Sequence, residues 1–189
     1  MSRSPVVVRP AEPADVATLR EVWGEILRKG AIDEQLSDLG RIVSEATQRD
    51  DQMVAVAEVD GQVAGAVFLQ ATTFTPLNLE PAVLAVSPHV LPDFRRRGVG
   101  SALIEAAVRF AEQLGIPHVC TAANPDARDA NRFMARLAFS PQATLRAAST
   151  GAVRARLTAR RPRVRQVATA RQIDRVLAAR RVRREHVAG

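Results

Sequence analysis

Apolar residues recur along the chain with two alternating spacings, one typical of strands and one typical of helices. Runs that are rich in β-branched residues predict five strands, at 6–8, 53–59, 63–70, 82–91 and 118–123. Apolar residues spaced three and four positions apart predict four helices, at 13–29, 33–49, 101–114 and 127–137. A last hairpin is predicted from two short runs on either side of Thr150-Gly151, at 143–149 and 152–158.

The order of these elements, β-α-α-β-β-β-α-β-α-β-β, indicates the fold class. Two runs meet at Asp60-Gly61, a dipeptide typical of hairpin turns, whereas strands and helices alternate in the second half. This combination predicts an α/β fold in which a mixed central β-sheet carries helices on both faces. Pro88 stands inside the strand predicted at 82–91, and because proline cannot donate a ladder hydrogen bond, it is expected at an edge, a bulge or a splayed point of the sheet.

Charge divides the chain into a mildly acidic body and a strongly basic end. Residues 1–153 hold 15 of the 27 Lys+Arg and 18 of the 20 Asp+Glu, a net charge of −3, and residues 154–189 carry a net +10. We therefore expect one domain at 1–159, followed at 160–189 by an Arg-rich linker and an amphipathic helix or disordered tail. Three roles stay open for the tail: binding nucleic acid or the ribosome, docking on the acidic body of its own or a partner subunit in a homodimer, and solubilisation.

Several classes of protein are disfavoured by what the sequence lacks. No apolar run approaches the roughly 18 residues of a membrane helix, and no apolar segment follows the N-terminal residues as in a secretory signal. Cys120 is the only cysteine, which excludes an intramolecular disulfide, and with three histidines it forms no metal-ligand pattern. We expect a cytoplasmic protein without a metal site or membrane association.

A basic, glycine-containing loop stands between the strand at 82–91 and the helix at 101–114. Glycines allow a tight turn, the first amides of a helix have no partner inside the helix, and the helix dipole is positive at that end. Together with three neighbouring arginines, these features predict a site for a diphosphate. The residues of the predicted anion site are Arg95, Arg96, Arg97, Gly98, Val99, Gly100 and Ser101.

This segment resembles the coenzyme A site of the GNAT acetyltransferase superfamily. The shared pattern is a strand, Val-x-Pro-Asp-aromatic, then Arg-x-x-Gly-x-Gly and a helix that starts with a small residue and Leu. The order of elements from about Val6 to Thr158 is similar as well. The family's second signature appears in altered form, as Ala130-Asn131-Arg132-Phe133-Met134 followed by Ala138-Phe139.

The resemblance implies that acetyl-CoA, or another acyl-CoA, is the cosubstrate. The strands at 82–91 and 118–123 would part, and the pantetheine arm would enter the gap between them. The resemblance also implies that amides from Arg96 to Ser101 hold the diphosphate. The backbone groups implied for the arm belong to Pro88, His89 and Val90. Asn124 and Asn131 are further candidates for the arm, with helix capping as the alternative for Asn124.

The catalytic residues do not carry over from the family. Relatives often use a Glu base and a Tyr acid, yet the chain has no Tyr, and the corresponding positions are Leu84, Ala122 and Met134. Three other residues are candidates for the chemistry: His89 as a base near neutral pH, Glu80 at the mouth of its strand, and Cys120 as an acyl relay. Direct transfer that relies on positioning stays open beside them.

The function implied is N-acetyl transfer from acetyl-CoA to an amine acceptor. A small amine, an amino acid, an antibiotic and a protein N-terminus or lysine all remain open as acceptors. Two alternatives belong to other classes: an acyl-CoA-binding sensor or scaffold with little catalysis, and a nucleic-acid- or ribosome-associated protein that binds through its basic tail.

Overall fold

Five strands form one sheet, and their order in space follows their order along the chain. The computed structural model describes residues 4–123, 126–143 and 146–159. The strands are β1 (Val6–Pro10), β2 (Gln52–Val59), β3 (Gln62–Thr73), β4 (Pro81–Val90) and β5 (His118–Thr121). The helices are α1 (Val16–Trp23), α2 (Ile32–Thr47), α3 (Val99–Gln113), α4 (Arg128–Arg136) and α5 (Thr150–Ala159). Short 3-10 turns stand at Pro13–Asp15 and Pro92–Phe94.

The sheet is mixed, as predicted. Strands β1 to β4 pair antiparallel, and β5 pairs parallel to β4. The connection between β2 and β3 is the expected two-residue turn, in which Asp60 (φ +53°) and Gly61 (φ +74°) both lie in the left-handed region. Val59 and Gln62 are register partners directly beside the turn, so the Asp-Gly hairpin is confirmed.

Helices cover both faces of the sheet, and each face has its own apolar core. On one face, Leu19 and Trp23 of α1 and Val43 of α2 pack with Val56 of β2. On the other face, α3 contributes a second cluster that packs on β3 and β4, formed among others by Leu103, Phe110, Leu69 and Val83. The prediction of helices on both faces is therefore confirmed. No helix in the described part of the chain is both long and apolar enough to cross a membrane.

The described residues up to Ser140 and those from Pro141 onward form two separate units. In the second unit the predicted last hairpin is wrong, because residues 150–159 form the helix α5 and neither 141–143 nor 146–149 is a strand. Ser149 caps this helix: its Oγ accepts from the N–H of Ala152 at 3.2 Å, and its carbonyl accepts from the N–H of Val153 at 3.1 Å. Alanine, arginine and leucine after the cap are strong helix formers, and they outweigh the turn signal of Thr150-Gly151. The predicted tail at 160–189 lies outside the described residues.

Candidate functional site: a loop and an open strand pair

The turn between β4 and α3 leaves a run of backbone N–H groups without partners. Among the described residues, none of the N–H groups from Arg96 to Ser101 donates to a protein acceptor, whereas that of Ala102 donates to the carbonyl of Gly98 at 3.1 Å. Arg96 (φ +60°) and Gly98 (φ +93°) both adopt left-handed conformations around Arg97. When successive residues alternate between left-handed and right-handed backbone conformations, their N–H groups point to the same side and form an anion-binding concavity. The positive end of the α3 dipole begins at the same point.

The side chains around this loop are free to meet an anion. Arg95, Arg96 and Arg97 are exposed, and none has a carboxylate partner among the described residues. The guanidinium of Arg97 lies over the Phe94 ring, with its central carbon 5.4 Å from the ring centroid, which restrains its position. A Cβ added at Gly100 would lie 3.5 Å from the Phe133 ring of α4, so this helix stands beside the start of α3.

Strands β4 and β5 part half-way along β4. Their paired residues run from Ala82 opposite His118 to Ala85 opposite Thr121, and β4 continues to Val90 without a β5 partner. The last contact before the gap is a hydrogen bond from the Thr121 hydroxyl to the carbonyl of Ala85 at 2.9 Å. The predicted parting of the two strands is therefore present in the fold.

A bulge in β4 coincides with this gap. Ala66 and Phe68 of β3 stand opposite His89 and Val86, so one extra β4 residue is inserted between them. Ser87, inside the bulge, has φ +48°, an unfavourable value for a residue with a side chain. Pro88 follows it, and the splayed or bulged position expected for this proline is confirmed.

Backbone groups of β4 face the gap at alternate residues. The Leu91 N–H donates to the carbonyl of Ala64 in β3 at 2.9 Å. The carbonyl of His89 lies against Gly65 of β3, where an added Cβ would collide with it. Since neighbouring residues of a strand direct their backbone groups to opposite sides, the backbone groups of Val90 are directed toward the β5 side.

His89 was predicted to contribute its backbone to the pantetheine arm, and the structure directs its carbonyl to β3 instead. Its side chain is half-buried. Cross-strand partners share a face of the sheet, and its partner Ala66 belongs to the core beneath α1 and α2. The imidazole is therefore on the face of the sheet opposite α3, and His89 belongs to the part of β4 that has no β5 partner.

The other two catalytic candidates occupy different environments. Glu80 stands before β4 and bonds His118 Nε2 at 2.7 Å, and the His118 ring meets Phe74 edge-on with centroids 5.2 Å apart. Glu80 lies five residues before Ala85, the last β4 residue that pairs with β5, a distance of about 16 Å along an extended strand. Cys120 is half-buried opposite Leu84, and burial raises the pKa of its thiol. A thiol with a raised pKa is protonated at neutral pH and is a poor nucleophile.

The structure describes most of the positions that the family resemblance singled out. Leu84 and Met134 are half-buried, and Ala122 is exposed just after β5. Asn131 lies on the exposed side of α4, where its Nδ2 donates to the carbonyl of Ala127 at 3.0 Å. Asn124 lies outside the described residues.

One contact at the site could not be predicted from the sequence. Trp23 stands at the end of α1 and is only 5% exposed. It is a core residue whose indole Nε1 also donates to the carbonyl of Ser87 at 3.0 Å. The only sequence signal near this bond was Pro88 inside a strand, which indicates a bulge but not its partner.

Comparison with known proteins identifies relatives in sequence and proteins of similar fold. An aminoglycoside N(6')-acetyltransferase type 1 from Klebsiella aerogenes is 28% identical over 116 residues, which are 61% of this chain and 76% of that protein. The solved structure of the aminoglycoside N-acetyltransferase AAC(6')-Iy with a bisubstrate analogue, CoA-S-monomethyl-acetylneamine, has a TM-score of 0.65. It is 21% identical and is matched over 78% of this chain and 99% of that one.

A similar fold is found in glucosamine-6-phosphate N-acetyltransferase from Arabidopsis thaliana, with a TM-score of 0.62 at 18% identity over 77% of this chain and 99% of that one. The family model described as Acetyltransferase (GNAT) family matches residues 18–139, a range that includes most of α1 and all of the bulged β4, the anion loop and α4. This chain therefore belongs to the GNAT acetyltransferase family.

Proposed function

We propose that this chain is an N-acetyltransferase that moves an acetyl group from acetyl-CoA to an amine acceptor. The observation that carries the proposal is the run of N–H groups from Arg96 to Ser101 that have no acceptor within the described part of the chain, at the start of a helix and beside an open strand pair. A diphosphate presents several acceptor oxygens close together, and these donors match that need. The exposed arginines of the loop add favourable charge without carboxylate competitors among the described residues.

The gap between β4 and β5 is the proposed place of the pantetheine arm. The arm carries amide groups, and an extended chain of amides is bound well by an unpaired strand edge. Val90 directs its backbone N–H and carbonyl to this gap, and Pro88, two residues earlier, adds a carbonyl. A diphosphate on the loop after β4 and an arm along Val90 and Pro88 would follow one continuous path, with the thioester close to the bulge.

The proposed reaction is direct transfer, in which the acceptor nitrogen forms a bond to the acetyl carbonyl carbon and the carbon–sulfur bond of the thioester breaks. The nitrogen loses a proton and the departing sulfur gains one. His89 is the titratable side chain nearest in sequence to the bulge and is our candidate to accept the proton. The side chains of Leu84 and Met134 do not titrate, so positioning of the two reactants is expected to supply much of the rate.

An acyl-CoA-binding sensor or scaffold is the second candidate function. The supporting observation is that Leu84, Ala122 and Met134 replace the ionisable residues implied by the resemblance, while burial keeps the Cys120 thiol protonated. Under this alternative the loop and gap bind acyl-CoA as proposed, and turnover is slow with every acceptor.

Thiol release from acetyl-CoA in the presence of a panel of amines distinguishes the two candidates. The panel contains aminoglycosides, because the Klebsiella relative acetylates that class by name, together with amino sugars, amino acids, polyamines and peptides with free N-termini. Acceptor-dependent thiol release that is lost in Gly98→Val supports the enzyme. Saturable acetyl-CoA binding without acceptor-dependent release across the panel supports the sensor and contradicts the proposed activity.

A further inference from the structure

One hydrogen bond ties α1 to the point where β4 leaves β5. The indole Nε1 of Trp23 donates to the carbonyl of Ser87 at 3.0 Å, and Trp23 is only 5% exposed. Trp23 is the last residue of α1, and Ser87 belongs to the bulge of β4. Sixty-four positions separate the two residues, so the bond is tertiary and depends on how α1 is seated on the sheet.

The bulge has an unfavourable local conformation that needs support from outside the strand. Ser87 has φ +48°, and it precedes Pro88, whose ring further restricts the backbone of the preceding residue. Pro88 has no N–H, and the ladder is locally interrupted at a bulge. Such a conformation persists when surrounding structure holds it, and the described partner of the Ser87 carbonyl outside the sheet is the buried Trp23.

We propose that Trp23 is a positioning residue for acyl-CoA, an inference that rests on the proposed function. Its indole N–H holds the Ser87 carbonyl toward α1, and this fixes the direction in which the next residues of β4 leave the bulge. Two of those residues, Pro88 and Val90, are the ones proposed to present backbone groups to the gap. Trp23 therefore acts through the backbone of β4 and does not touch the cosubstrate itself.

The test compares Trp23→Phe with Val43→Ala. Both residues are buried in the same core between α1, α2 and the sheet, but Val43 lies on α2. Calorimetric titration with acetyl-CoA is expected to show roughly 5- to 30-fold weaker binding for Trp23→Phe, because the Ser87 carbonyl loses its indole donor and the bulge is no longer held in the binding position. Val43→Ala, with a comparable fall in Tm, is expected to bind within about twofold of wild type.

Equal affinities in the two variants would overturn the inference, as would a Trp23→Phe protein that binds like wild type. Hydrogen exchange measured without acetyl-CoA separates this inference from the proposed function. Faster exchange of the His89 and Leu91 amides in Trp23→Phe than in Val43→Ala would show that Trp23 holds this part of β4 in place. That conclusion would stand even if wild type bound no acetyl-CoA, because the absence of binding would contradict only the proposed function. Unchanged exchange in Trp23→Phe contradicts the positioning role.

Discussion

Gly65 of β3 is a position where one added methyl group is expected to disturb the open part of β4. A Cβ there would collide with the His89 carbonyl and would lie 3.3 Å from the Cα of Val90 and 3.2 Å from Val99 Cγ1. Two of these three neighbours are backbone atoms, which cannot rotate away. Gly65→Ala therefore forces β3 and β4 apart in the part of β4 that has no β5 partner on its other side.

The expected cost follows from the packing. Overfilling a tight site costs about 1–3 kcal/mol, and for a chain of this size about 1 kcal/mol lowers Tm by about 2–4 °C. Gly40→Ala is the matched control, because nothing lies within 4 Å of its added Cβ and it stands inside α2. Alanine inside a helix is more favourable than glycine by about 0.5–1 kcal/mol, so Gly40→Ala is expected to raise Tm slightly.

Thermal unfolding and acetyl-CoA titration of both variants form the assay. Gly65→Ala is expected to lower Tm and to weaken acetyl-CoA binding as well, because it moves the strand whose Pro88 and Val90 are proposed to meet the arm. Gly40→Ala is expected to leave the affinity unchanged. A Gly65→Ala protein with the Tm and affinity of wild type would refute this account of the β3–β4 contact.

Three further predictions concern other parts of the chain. Asp15 is buried, and its hydrogen bonds from Arg9 hold the pKa of this carboxyl below its ordinary value. The contribution of Asp15 to the free energy of unfolding is therefore present above the unfolded-state pKa, and it is lost as the pH falls through the lower folded-state pKa. Asp15→Asn should destabilise the fold by about 2 kcal/mol at neutral pH and flatten the loss of stability in acid, as measured by urea unfolding at several pH values. Cys120→Ala should retain acetyl transfer, because partial burial raises the pKa of the thiol and leaves it protonated; abolished turnover with a trapped acyl-enzyme in wild type would show that Cys120 carries the acyl group. Deletion of residues 160–189 should leave acetyl-CoA affinity unchanged and remove affinity for nucleic acid if wild type has any; nucleic-acid binding that survives the deletion would exclude the tail as its source.

The features that were predictable from the sequence are those encoded in short segments. The anion loop is specified by Gly98 and Gly100 with the neighbouring arginines, and the hairpin by Asp60-Gly61, because each needs conformations that only a few residue types adopt readily. Helices on both faces followed from apolar periodicity. Pro88 indicated an interruption of β4 because its missing donor is a local property.

Features that depend on contacts between distant segments were not predictable. The bond from Trp23 to Ser87 joins residues from two elements, and no local pattern shows which carbonyl a buried indole will meet. The last hairpin was wrong because Thr150-Gly151 was interpreted as a turn, whereas Ser149 caps a helix of good helix formers. The catalytic candidates illustrate the same limit: Glu80 is paired with the distant His118, and the sequence did not show where the β4–β5 pairing would end.

The most direct test of the central claim is calorimetric titration of the full chain with acetyl-CoA, beside free CoA and ATP. Wild type is expected to bind acetyl-CoA and CoA saturably, with affinity in the micromolar range, and to bind ATP more weakly because ATP has no pantetheine arm. Replacing Gly98 and Gly100 with valine is expected to abolish binding, since Gly98 holds φ +93° and both residues present loop amides. Failure of wild type to bind any CoA species would contradict the account.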